Sequence, residues 1–541
     1  MTTSAISRRS VLGGLAAAAV AGTTGLTACS PSNGSAGGGT IKAVPLPTYV
    51  PHQGAKPDLP AGENGVRAGY LKYPLDSLVK TVDEVPGAGG TIRYQTFNFG
   101  ASPTQRERNL YWQDMERRVG VKWEYYGVPG DNYLAKVQTT IAGGDLPECM
   151  TFGSPYFAVP QLPQLLDSKF TDLSDYLSGD NVKKYPNLAG LSTSAWKGAV
   201  YNGRIYGLPR QAATISGIWF VHADKFAAAG FPDNPKNPDE LFEALKAANS
   251  PKNGTWAITN PSTALQMARV VVGAGQDWTV ADGKFTSVYE TEAYIKALEY
   301  AAKANAAGLL NPDGPTADGN VLFTSGKALL AIGSTPAWGV NYDTLKQQGG
   351  KLGAWVGYKA DGTLAPVAAA PAHSFFTAIK KGLSKERIEE ILRVANYTAA
   401  PFGSEEEFAI SFGVKGIHHT VTGGTPVQTP KYKQDAPLGF NYLAAAPVPI
   451  INTVNPDQVQ LTHDYESLVA KAVVTEPTTG LYSTTEGTQG AVLRKLAGDF
   501  ANDIVLGRKK PADWTRTGLP QWKARGGDKL ATEYAEAAAG S

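Results

Sequence analysis

The chain has 541 residues with 50 Lys and Arg against 48 Asp and Glu, a near balance that argues against nucleic acid or an acidic polymer as the main partner. Two cysteines give no disulfide framework, so a chain this long must rest on its hydrophobic core and divide into more than one domain. Ten Trp, 24 Tyr and 18 Phe supply aromatic surface for a core and for a binding cleft.

Ser7-Arg8-Arg9-Ser10 precedes an uncharged run from Val11 to Ala28 that ends in Leu26-Thr27-Ala28-Cys29. A charged start, an apolar middle and small residues before the cut define an export signal over residues 1–28, and the mature chain then holds equal numbers of basic and acidic residues. The Leu-Thr-Ala-Cys ending resembles the bacterial lipobox, which implies lipid attachment at Cys29 and a protein held to the outer face of the cell membrane. The paired arginines resemble a twin-arginine signal, which implies export of an already folded chain. The run is rich in Gly, Ala and Thr with no stop-transfer charges after it, which speaks against a transmembrane helix. Residues 29–40 form a lipidated cysteine and a Gly- and Ser-rich tether with a reach of roughly 20 Å. Residues 41–90, punctuated by Pro and Gly, read as an irregular extension lying on the folded body.

Regular structure is predicted from Thr91. Thr91–Phe97 alternates as a strand, and Ser102-Pro103 is expected to open a helix carrying Tyr111, Met115 and Val119 on one face. Gly120 stops that helix. Val121–Tyr125 alternates again, Asp131 opens a helix with Leu134, Val137 and Ile141 inward, and Cys149–Phe152 forms a third strand, with Cys149 a small core residue. Strand and helix in alternation with short connections build a parallel sheet, whose ligands sit beyond the carboxyl ends of its strands. That reasoning selects Phe99 and Ser154. A new strand is expected at Ile218–Asp224, followed by helices capped by Asn237-Pro238, from Thr291 to Gly308, from Ser384 to Ala400, and from Thr488 to Leu506.

Several motifs recur in a characteristic order: Gly143-Gly144-Asp145-Leu146-Pro147, Thr171-Asp172-Leu173-Ser174, Ile205-Tyr206-Gly207-Leu208-Pro209, Phe323-Thr324-Ser325-Gly326-Lys327, Gly416-Ile417-His418-His419, and a tail with Trp514 and Gly526-Gly527-Asp528. Over about residues 91 to 535 the chain resembles the solute-binding lipoproteins of ABC importers, in the large oligosaccharide-binding branch related to maltose-binding protein. The resemblance implies an α/β, two-lobed, periplasmic-binding-protein-like fold of type II, a hinged clamp with its ligand cleft between the lobes. It places residues 91–211 and 372–450 in lobe 1, and 212–371 and 451–541 in lobe 2. It also implies a monomer without turnover that hands its sugar to a membrane permease. Where some relatives carry a calcium loop, Ser250–Trp256 offers no acidic ligand set, so no metal and no cofactor are expected.

Sugar recognition needs flat apolar faces with directed hydrogen-bond partners around them. Trp338 follows the apolar run Ala328–Ile332 and matches the sugar-stacking position of the maltose-binding relatives, against an ordinary core role. Trp278 resembles part of a cleft-facing loop, with Asp277 beside it as a carboxylate acceptor, and Trp219 is cleft wall or core. Arg210 follows Pro209 at the expected first crossing and reads as a forked donor to hydroxyls or as a salt-bridge partner. His373 and Phe375 stand at the expected return crossing, where a neutral imidazole both donates and accepts. His418-His419 lacks the spacing of a metal pair, Gly326-Lys327 lacks the Ser or Thr of a phosphate loop, and Glu405-Glu406-Glu407 reads as a solvated helix face. Two alternatives stay open: a secreted glycan-cleaving enzyme with paired carboxylates, and the same fold binding a peptide or another small solute.

Overall fold

In a computed structural model the described residues are 44–52, 54–98, 102–153 and 159–539. The expected export segment, the lipid site at Cys29 and the tether lie outside them. Strand β1 (Thr91–Asn98) leads through α1 (Leu110–Val119) to β2 (Lys122–Pro129), then through α2 (Gly130–Gly143) to β3 (Cys149–Phe152). Short helices follow before β4 (Leu208–Gln211), and the chain then passes into a second sheet through β5 (Gly217–His222). There it builds α3 (Pro238–Ala248), β6 (Trp256–Ile258), α4 (Pro261–Val271), α5 (Glu292–Ala306), β7 (Ala328–Ser334), α6 (Trp338–Gln347) and β8 (Leu352–Trp355). It returns to the first sheet as β9 (His373–Ile379) with α7 (Lys385–Thr398) and α8 (Glu405–Phe412), and ends beyond α9 (Asp457–Val469) and α10 (Thr484–Val505).

The first sheet has the order β2-β1-β3-β9-β4 and the second β8-β5-β7-β6, so each belongs to one lobe of a two-lobed α/β protein. β1 runs parallel to β2 and β3, as the alternation of strand and helix requires, and β9 runs antiparallel to β3 and β4 because it enters from the other lobe. Tyr111, Met115 and Val119 lie buried against Ile92, Tyr94 and Cys149. The Cys149 thiol is fully buried, and desolvation pushes its pKa well above the ordinary value. Among the described residues no helix is long and apolar enough to cross a membrane.

Two sequence expectations need correction. α1 does not open at Ser102-Pro103. A 3-10 turn over Arg106–Arg108 intervenes, and Asn109 caps the helix by accepting from the Trp112 amide. Nor is Glu405-Glu406-Glu407 a solvated face. Only Glu405 is exposed; Glu406 is buried and Glu407 half-buried, because both carboxylates bind the chain that precedes β1.

That preceding segment, residues 44–90, belongs to the same compact unit as both sheets. It contains only short turns and a two-residue strand, so its amides must find partners elsewhere. Glu406 accepts from the amides of Thr81 and Val82 at 3.1 and 3.0 Å and from the Thr81 hydroxyl at 2.8 Å. Glu406→Ala would orphan these donors, and a loss of about 2 kcal/mol or more of unfolding free energy is expected in urea titrations.

Candidate ligand cleft

β1 and β3 run parallel, so Asn98 and Gly153 emerge at the same edge of the first sheet. Phe99 and Ser154, the residues selected from the sequence, follow these two directly and lie outside the described residues. The Asn98 side-chain oxygen is buried without a hydrogen-bond partner among the described residues. Gly153 has φ of +107°, and a Cβ there would sit 3.3 Å from the Phe375 Cα, so only glycine lets the chain turn this close to β9.

His373 starts β9 opposite Gln211, at the return from the second lobe. Its imidazole lies against Gly198, where a Cβ would come within 1.8 Å of the ring carbon and 2.0 Å of Nδ1. Nδ1 is buried with no hydrogen-bond partner among the described residues, and desolvation lowers the pKa below 6.5. The ring is therefore neutral at pH 7, one nitrogen a donor and the other an acceptor. From the other lobe, Tyr482 approaches the Gln161 main chain and faces Tyr201, and burial raises both phenolic pKa values. Tyr482 thus meets the first lobe at Tyr201 and the Gln161 main chain.

The second lobe contributes an ordered loop ahead of Trp278. Arg269 donates to the carbonyl oxygens of Ala274 and Gln276 and to the Asp277 carboxylate at 3.0, 2.9 and 2.8 Å. Glu476 accepts from the Asp277 and Trp278 amides at 2.7 and 3.3 Å, tying this loop to the segment that carries Tyr482. Burial raises the Glu476 pKa despite those donors. The Asp277 carboxylate remains 70% exposed, open to a ligand even while paired with Arg269.

The tryptophans sit elsewhere. Trp338 is 2% exposed, held edge-on between Phe220 at 5.9 Å and Tyr465 at 5.3 Å, so neither face is free for a sugar. The cause is local: a 3-10 turn over Thr335–Ala337 follows β7 and rolls Trp338 inward, where Trp338, Asn341 and Leu345 form the buried stripe of α6. Trp278 packs against Tyr534 and Trp522, and Trp219 against Trp355, each nearly buried. In this arrangement all three tryptophans are core residues.

Arg210 and Phe375 do meet. The guanidinium lies 5.3 Å from the Phe375 ring and 5.6 Å from that of Tyr442, and Phe97 packs on both rings. Desolvation lowers the Arg210 pKa from its ordinary value. Phe97, Tyr442, Tyr201 and Tyr482 were not singled out from the sequence. Phe97 ends the β1 alternation and could have been, whereas Tyr201 and Tyr442 stand in elements of two and four residues and Tyr482 in a loop, too short to carry a periodic signal. Two cavities of 840 and 580 Å³ lie between residues 44–90 and the crossing segments, and neither is lined by Asn98, His373 or Asp277. The loop over Ser250–Thr255 closes on itself through paired main-chain bonds of 2.9 and 3.2 Å.

A family model described as bacterial extracellular solute-binding protein matches residues 101–381. Among curated proteins, the polygalacturonan/rhamnogalacturonan-binding protein YtcQ of Bacillus subtilis (strain 168) is 23% identical over 453 residues, 79% of this chain and 87% of that one. Among solved structures, the alginate-binding protein AlgQ2 without calcium ion aligns with a TM-score of 0.61 at 16% identity, over 84% of this chain and 99% of its own. An HMO-binding, ABC-transporter-associated solute-binding protein from Bifidobacterium longum infantis aligns at 0.59 and 17% identity, over 83% and 98%. At these identities the structural likeness speaks for the two-lobed fold.

Because His373 is held neutral, the unfolded chain binds more protons than the folded one just below pH 6.5, and stability falls as pH drops through that range. The melting midpoint should therefore decline from pH 7 to pH 5, and His373→Gln should flatten part of the slope. His52 and His222, also lowered by burial, add to the slope, and Glu407 and Glu476, raised by burial, oppose it. An unchanged slope in the variant would remove His373 from this role.

Proposed function

The chain belongs to the bacterial extracellular solute-binding proteins, carriers without turnover, and we propose that it is the membrane-anchored component of an ABC importer that captures an oligosaccharide between its lobes and delivers it to the permease. The observation that carries this reading is a pair of buried atoms at one edge of the first sheet, the Asn98 oxygen and His373 Nδ1, left without partners among the described residues, while Tyr482 of the opposite lobe meets Tyr201 and the Gln161 main chain. Buried polar atoms without partners are costly, and a ligand rich in hydroxyls supplies both donors and acceptors.

His373, Asn98, Tyr201 and Tyr482 are the proposed contacts, with Phe99 and Ser154 beyond the strand ends and Asp277 on the facing loop. Arg210 with Phe375 forms the packed support beneath them. Lobe 1 comprises residues 91–211 and 372–450, and lobe 2 residues 212–371 and 451–541. Groups from both lobes face one ligand together only when the lobes close, so ligand shifts the population toward the closed form and the permease reads that form. YtcQ is named for polygalacturonan and rhamnogalacturonan, AlgQ2 for alginate and the Bifidobacterium protein for HMO, which supports a glycan over a peptide.

The test is thermal unfolding and intrinsic fluorescence of residues 30–541 against plant, algal and bacterial oligosaccharides, with peptides as controls. The expected result is a raised midpoint with one glycan class that is recovered chemically intact, by about 2.7 kcal/mol of stabilisation at a hundredfold excess over Kd. Cleavage of the glycan, or a response to peptides alone, would overturn the reading. The anchor is checked separately: in membrane fractions of the native host, Cys29→Ala should move the protein from the membrane to the soluble fraction.

A further inference from the structure

Residues 44–90 touch one lobe, pass to the other, and come back. Val44, Thr48 and Val50 donate their amides to Gly203, Gly179 and Ala189 of the first lobe, each at 2.9 Å. Val66 is then buried in the second lobe's core with Phe220, Trp338 and Tyr465. Beside it Arg67 grips Glu466 on α9 through its amide at 3.0 Å, its Nε at 3.0 Å and a terminal nitrogen at 2.6 Å, and the Glu466 side chain is wholly buried. Asn64 adds a bond to the Ala470 carbonyl at 3.0 Å. The chain is back on the first lobe at Tyr70, whose ring lies 4.5 Å from that of Phe402, and its anchor is completed three residues later. There the Tyr73 ring packs on Phe402, Phe408 and Phe412 at 5.0 to 5.4 Å, and its hydroxyl donates to Glu407 at 2.5 Å.

We propose that this segment is a strap that limits how far the two lobes can open. The limit is geometric. Five residues lie between the Arg67 anchor on α9 and the Tyr73 anchor on α8, and the six Cα-to-Cα steps that join the two span at most about 20 Å. Within that span Gly69–Tyr70 pair in parallel with Ile450–Ile451, so the strap is also stitched to the chain that links the lobes. Rotation that moves α9 away from α8 must first straighten residues 68–72 and then break either the buried ion pair or the aromatic anchor. The cavities of 840 and 580 Å³ along the strap, which share Arg67 and Phe402 in their walls, leave room for motion of intermediate size. The restraint acts with or without a ligand, and so does not depend on what the cleft binds.

The experiment places nitroxide labels on exposed positions of the two lobes, at Lys136→Cys on α2 and Lys246→Cys on α3, in the full chain carrying Cys29→Ser. The buried Cys149 thiol is protected from labelling. Pulsed dipolar spectroscopy then reads the interlobe distance without ligand. Arg67→Met with Glu466→Gln releases the second-lobe anchor without leaving a lone buried charge, and Tyr70→Ala with Tyr73→Ala releases the first-lobe anchor. Each variant should give a longer mean distance and a distribution about twofold broader than the parent, with far-UV circular dichroism preserved. Distributions that match the parent in folded variants would overturn the proposal. Loss of folding in both would overturn it as well, because the segment would then be core structure.

Discussion

The molecule depends on a narrow ribbon where separate lengths of chain pass between the lobes side by side. The Gln211 amide bonds to Ala445 at 3.0 Å, that of Ala212 to Ala372 at 2.9 Å, that of Ala370 to Thr214 at 2.8 Å, and that of Ala369 to Val474 at 2.8 Å. These bonds pair the main chains across the crossing, whose residues are half-buried. The side chains are mostly methyl groups: Ala212, Ala213, Ala369, Ala370, Ala372, Ala445 and Ala446. Such a ribbon holds the lobes together by hydrogen bonds, yet offers few interlocking side chains to fix the angle between them. The angle must then be set by contacts away from the ribbon.

Both groups of such contacts follow from the chain's path. On one side the ribbon ends at His373, whose ring is wedged against Gly198 with its Nδ1 buried and unpartnered among the described residues. Tyr482 reaches Tyr201 and the Gln161 main chain of the first lobe from the other lobe, where Glu476 ties its segment to the loop that Arg269 orders. Elsewhere the strap connects α9 to α8. Ligand contacts and strap contacts therefore act on the same angle, one set when the cleft fills and the other at all times.

Much of the fold was legible because its signals are local. The alternation through β1, α1, β2, α2 and β3 could be read from apolar spacing, and the Asn237-Pro238 and Ser384 caps sit where the sequence placed them. Failures came where distant chain overrides local pattern. Ser102-Pro103 has the chemistry of a helix start, but the Asn109 side chain also donates to the Asp435 carbonyl 326 residues away, fixing the start of α1 seven residues later. Trp338 after a strand and before a glycine looked like a platform, whereas its spacing to Asn341 and Leu345 was the better guide, since it is that of a buried helix stripe. The cleft was less legible than the fold. Its polar groups come from strand ends and irregular loops, where no period marks which side chain turns inward.

The run of glutamates at 405–407 exposes the same limit from the energetic side. A segment without regular structure cannot satisfy its own amides, so 44–90 borrows carboxylates from the body it lies on. Glu390 accepts from the Ala88 amide at 2.7 Å, Glu406 from Thr81 and Val82, and Glu466 from Arg67. Read alone, each of these residues belongs to a charged helix face. Their burial makes sense only once the strap is in place, and the dependence runs both ways. Removing the strap would take Val66 out of the core it shares with Phe220 and Trp338 and leave Glu466 without its arginine, whereas removing the glutamates would leave main-chain donors buried and unpaired. Body and strap therefore form as one structure, and the freedom left to the lobes is what the short run between Arg67 and Tyr73 permits.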